Sequence, residues 1–207
     1  MRLRDPTHLY EGEPSPSALE AARFVSVVTH APFLSAVMFV LLNLKAEDGV
    51  TFVLSTVVAL VTATIIPVVV VHHYSVKSGN TDGDVVRRED RLKPLVGGIL
   101  SYVLGIALMF AVDAPHLSTV MMVSYASCTV LVLLISTRWK ISIHTTGVMG
   151  PAIALSIAYW PWGLLTFALL PAVMWSRYIR RKHTPAQLVG GAVFGFIATC
   201  AVLLILL

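Results

Sequence analysis

Charge is what this chain has least of. Only 13% of its 207 residues are Asp, Glu, Lys or Arg, where an average soluble domain has about a quarter. That scarcity argues against an ordinary water-soluble domain. Cysteine is nearly absent: Cys128 and Cys200 are the only two, each in the middle of an apolar block. The sequence therefore carries no disulfide framework and no cysteine pair of the kind zinc and redox sites use. Ten-residue segments of alternating polarity are missing, which argues against a transmembrane β-barrel. There is no internal repeat and no low-complexity tract. Residues 1–23 are polar and interrupted by Pro6, Pro14 and Pro16, with no apolar core close behind Arg2 and Arg4. No signal-peptide pattern is expected there.

What is present in quantity is apolar sequence in long blocks, 57% of the chain with a mean hydropathy of +0.81. The expected fold class is all-α, a polytopic transmembrane helical bundle. A polar arm over 1–23 would lead into one membrane domain over 24–207. Ser17 and Glu20 have capping-box spacing and would start a helix near Ala18. Seven apolar segments follow, at about 24–44, 50–71, 95–112, 117–136, 145–159, 163–175 and 187–206. Two are short for a span of roughly 20 residues, so six to seven membrane segments are expected. Gly191 and Gly195 in the last segment have the spacing that lets helices approach closely.

Three polar stretches stand out, at 72–94, 137–144 and 176–187. Ionisable groups are costly beside lipid, so these belong at a membrane surface or in a wet cleft. Two apolar segments separate each stretch from the next, which puts all three on one face with the N-terminus. That face holds every Lys and Arg except Lys45. The positive-inside rule then expects it to be cytoplasmic. Basic residues confined to interhelical loops point to topology and an anionic lipid partner, not to nucleic acid.

The residues in these stretches are suited to phosphate chemistry. Arg forms bidentate hydrogen bonds with phosphoryl oxygens. Displacement at phosphorus needs a nucleophile and a proton donor for the departing oxygen, and imidazole can serve as either. His144 and His183 lie within a few residues of Lys140 and Arg177. Taken singly, each is equally a loop histidine near lipid headgroups.

Ser176-Arg177, five residues, then His183 resembles the third motif of the type 2 phosphatidic acid phosphatase family, Ser-Arg, five residues, His, three residues, Asp. Lys140-Ile141-Ser142-Ile143-His144 resembles its second motif, Pro-Ser-Gly-His. Arg87 to Pro94 resembles its first, Lys, six residues, Arg-Pro. The three occur in order, and the resemblance covers about 72–195 within a phosphatase-like core of about 72–207, in a style common among archaeal members. It implies a hydrolase that acts on a lipid phosphate monoester or a polyprenyl diphosphate through a phosphohistidine. His183 would be the nucleophile and His144 the general acid. Arg88, Arg91, Lys93, Lys140, Ser142 and Arg177 would bind the phosphoryl group. No metal or other cofactor would be needed.

The departures are specific. Val86 stands where the family's first Lys would fall, so a shifted register through Arg88 and Arg91 is expected. Lys93 replaces Arg, Ile141 and Ile143 replace Pro and Gly, and Gln187 replaces the Asp that partners the nucleophile. A Gln carbonyl can orient an imidazole but cannot neutralise its developing charge. Gln187 is therefore expected to orient His183, and a non-catalytic module binding anionic headgroups is the main alternative. Asp82-Gly83-Asp84-Val85-Val86-Arg87 also resembles the opening of the CDP-alcohol phosphotransferase motif, but the Gly and two Asp that should follow at fixed spacing are missing. Whether the lipid tail is acyl or isoprenoid is not readable from these residues.

Overall fold

A computed structural model describes residues 12–77 and 91–207. The described residues are helical, with short turns between the helices. The helices are α1 Pro16–Val28, α2 Ala31–Asn43, α3 Gly49–Lys77, α4 Leu92–Ala111, α5 His116–Ser136, α6 Ile143–Ala158, α7 Leu169–Ile179 and α8 Pro185–Leu206. A 3₁₀ turn, Trp162–Ala168, leads into α7.

Four helices among the described residues (α3, α4, α5 and α8) are long and apolar enough to cross a membrane, and the pair α1 and α2 makes a fifth if it counts as one bent span. Of the expected six to seven segments, four to five therefore meet the spanning length among the described residues. Segment 145–159 forms the short helix α6. Segment 163–175 is divided between the 3₁₀ turn and α7, and neither piece reaches spanning length.

The expected segment at 24–44 is likewise not one straight helix. It bends by 41° between α1 and α2. Thr29 turns its hydroxyl onto the Val25 carbonyl at 2.6 Å. His30 takes extended dihedrals, and Pro32, which has no N–H to give, sits in the first turn of α2. At the other end, α1 begins inside the expected polar arm. Ser15, not Ser17, is its cap and accepts from the Ala18 amide.

The bundle turns large apolar side chains outward, among them Leu100, Phe110, Phe196 and Leu204. Its interior mixes Met38, Phe39, Met109, Met121 and Met122 with buried hydroxyls. In α3 the stretch Leu60–Ile65 is π-helical, which loosens the local hydrogen-bond ladder. Ser101 of α4 donates to the Thr62 carbonyl there at 2.6 Å, and Ser35 of α2 to that of Ala63 at 3.1 Å. A buried cluster links Asn43 to Ser118 at 2.6 Å and to Thr56 at 3.3 Å. Each satisfies a polar group that lipid could not.

Two contacts position the site. α8 packs on α6 and α1 packs on α7. A Cβ on Gly191 would come within 2.3 Å of Thr145 Oγ1, and one on Gly195 within 2.7 Å of the Thr146 carbonyl. The close approach expected from the glycine spacing is therefore made against α6. Thr146 Oγ1 donates to the Gly191 carbonyl at 3.0 Å.

Candidate functional site

The third polar stretch forms a turn between α7 and α8. α7 ends with the Lys182 amide donating to the Arg177 carbonyl and the Arg181 amide to that of Tyr178, with Arg181 at a φ of 52°. This pattern reverses the chain after a helix. It brings His183 inward, where the ring is 1% exposed.

Thr184 then caps α8 through a reciprocal box with Gln187. Its hydroxyl accepts from the Gln187 amide at 3.3 Å, and Gln187 Oε1 accepts from the Thr184 amide at 3.2 Å. That same Oε1 lies 3.2 Å from His183 Nδ1. A backbone N–H can only donate, so the oxygen of the Gln187 amide faces Thr184. His183 Nδ1 is then the donor to that oxygen. In the neutral ring this leaves Nε2 as the unprotonated nitrogen.

The ring is kept neutral by its surroundings. Burial is the main cause holding its pKa well below the ordinary 6.5, and the positive charges of Arg91, Arg177 and Lys140 push the same way. The Gln187 contact opposes them.

His183, His144, Arg177 and Arg91 line one cleft of about 850 Å³. All four are buried. Arg91 precedes α4 and donates to the Ile141 carbonyl at 3.1 Å, tying the start of that helix to the 137–142 turn. Arg177 reaches from α7 to Ser26 of α1 at 3.1 Å, and Arg180 shares the same hydroxyl at 2.7 Å. Ser176 of the Ser-Arg pair points away from the cleft and donates to the Ala22 carbonyl at 2.6 Å.

The other expected residues lie elsewhere. Ser142 is fully buried as the cap of α6, accepting from the Thr145 amide at 3.4 Å, and its own amide donates to the Gln187 carbonyl at 3.3 Å. Its hydroxyl is thus engaged in the helix start. Lys93 is exposed on the first turn of α4. Lys140 is half-buried, outside the cleft lining but close enough to act on His183. Gln187 stands behind His183 and does not line the cleft. Arg88 lies outside the described residues.

The structure adds a residue the motifs do not contain. His30, at the break between α1 and α2, lines the cleft with its ring edge-to-face with His144, centroids 5.2 Å apart. The available signal was a histidine two residues before a proline inside an apolar run. Ser26, which holds Arg177, carried no such signal.

A second, more apolar cavity of about 520 Å³ shares Ala31, Leu95, Tyr102, Thr129 and Ile143 with the cleft and continues between the helices. The chain matches no protein-family model, no curated protein and no solved structure, so the chemistry of the cleft is read from its own side chains.

Proposed function

We propose that this chain is an integral membrane lipid phosphatase that hydrolyses a lipid phosphate or diphosphate through a phosphohistidine on His183. The observation that carries the reading is one cleft lined by two buried arginines and three histidines, with His183 held neutral. A neutral imidazole is the nucleophilic form. Nε2 of His183 would attack phosphorus as the bond to the lipid oxygen breaks, and His144 would give its proton to that oxygen. Arg91 and Arg177 would take up the charge on the phosphoryl oxygens. Water, losing a proton to the now neutral His144, would then attack the phosphohistidine and release inorganic phosphate.

The adjoining apolar cavity supports a substrate with a hydrocarbon chain. Its lining includes Leu95, Tyr102, Val132 and Ile143, which suit an apolar chain. The resemblance to type 2 phosphatidic acid phosphatases supports the same reading, and the basic loops support a cytoplasmic mouth for the cleft.

The alternative is a module that binds anionic headgroups without turnover. It is favoured by one observation: the group behind His183 is the amide of Gln187, already engaged in capping α8. One assay divides them. Protein purified in detergent is given long-chain alkyl phosphate, phosphatidate or polyprenyl diphosphate in EDTA, and released phosphate is measured. Release is expected to fall about a thousandfold in His183→Ala and His144→Ala. Binding of the lipid without release by the native chain selects the headgroup module. Release that survives His183→Ala removes the nucleophile assignment.

A further inference from the structure

The bend in the first apolar segment divides its halves between two sides of the cleft. α1 packs on α7, which carries Arg177, and α2 packs on α6, which carries His144. On α1, Ala22 and Ser26 are four residues apart and so share a face. Both are buried, and both are hydrogen-bonded to α7. Ser176 Oγ donates to the Ala22 carbonyl at 2.6 Å. One turn along, Ser26 Oγ accepts from Arg177 Nη1 at 3.1 Å and from Arg180 Nη1 at 2.7 Å.

These bonds between the same two helices differ in what they hold. The Ser176 bond is neutral and ties a short side chain to backbone, so it joins the helices and nothing more. The Ser26 bonds grip charged side chains. A serine hydroxyl has two acceptor lone pairs, and two guanidinium groups reach this one. Bonds from a charged donor are roughly twice as strong as neutral ones. Arg177 lines the cleft and is 2% exposed. Its guanidinium is a planar, rigid fork, so holding one nitrogen restricts the plane in which the other N–H groups lie. Bidentate binding of a phosphoryl group depends on that plane.

We infer that Ser26 is a positioning residue for Arg177: its hydroxyl sets the plane of the guanidinium that receives a phosphoryl group. α1 is then part of the anion site and not only a neighbouring helix. The inference rests on reading the cleft as a phosphoryl site, but the grip of Ser26 on Arg177 can be tested apart from that reading.

Two single variants separate positioning from helix docking. Ser26→Ala removes the acceptor. Ser176→Ala removes a hydrogen bond between the same helices without touching a guanidinium. Inorganic phosphate is titrated against each purified chain in detergent and its binding followed by phosphorus NMR. Ser26→Ala is expected to weaken binding about tenfold and Ser176→Ala less than about twofold. In an Arg177→Ala background, Ser26→Ala should add less than about twofold, because it acts through that arginine. A loss in Ser176→Ala equal to that in Ser26→Ala would mean that helix docking is the whole effect, and would overturn the inference. A full loss from Ser26→Ala in the Arg177→Ala background would overturn it too.

The second readout needs no ligand. With arginine side chains labelled with nitrogen-15, the Arg177 signals are assigned by their disappearance in Arg177→Lys. Exchange of its guanidinium hydrogens with water should quicken about tenfold in Ser26→Ala and stay near the native rate in Ser176→Ala. Unchanged exchange in Ser26→Ala overturns the positioning role. If the native chain binds no phosphate, the reading of the cleft as a phosphoryl site fails, and the exchange rates alone decide whether Ser26 holds Arg177.

Discussion

At the scale of single residues, the behaviour of His183 follows from where its ring is held. Burial together with Arg91, Arg177 and Lys140 disfavours its charged form, so the folded chain takes up this proton only well below pH 6.5. An unfolded chain takes it up near 6.5. Below that value the unfolded state binds more protons, and stability falls as pH drops, by at most about 1.4 kcal/mol per unit from this group. The thermal midpoint in detergent should therefore fall more between pH 7.5 and 5 for the native chain than for His183→Gln, which has no proton to gain. The reverse ranking would mean that the ring is not held neutral. His183 and His144 were legible in the sequence because each stood beside cations in a polar stretch. His30 was not, because its partner is 114 positions away in the chain.

At the scale of elements, the site depends on how closely α8 approaches α6. Gly191 permits that approach, and the turn it touches, Ser142 to Thr146, carries His144. Gly191→Val is expected to force the helices apart, at about 1–3 kcal/mol for an overpacked contact, and to lower both the thermal midpoint and phosphate release. Val189→Ala, on the exposed side of the same helix, should change neither. A Gly191→Val chain as stable as the native one would show that the contact does not hold the site. The glycine spacing was readable in advance, but the partner helix was not. The Thr184–Gln187 capping box was also written in the sequence, as Thr-x-x-Gln before an apolar run, yet Gln187 was expected only behind His183. One carbonyl oxygen serves both purposes because the helix starts immediately after the histidine.

At the scale of the whole molecule, the polar stretches that can be followed converge on one end of the bundle, and the charge asymmetry of the loops predicts that this end is cytoplasmic. In a chain with Cys128 and Cys200 replaced, a cysteine introduced at exposed Arg138 should resist a membrane-impermeant thiol reagent in intact cells. One introduced at exposed Glu47 should react. Labelling of the first and protection of the second would reverse the orientation.

The sequence by itself determined the class of molecule. Long apolar blocks with charge confined between them leave a helical membrane bundle as the economical way to satisfy every backbone amide. It also marked which polar stretches would be set apart from lipid. Only the tertiary structure decided how many blocks are long enough to span and where the first one breaks. It alone decided that Ser142 caps a helix instead of facing the cleft, and that His30 joins His144. These depend on side chains meeting across distances in sequence that periodicity and composition do not encode. Close packing of α6 against α8 and of α1 against α7 makes them meet.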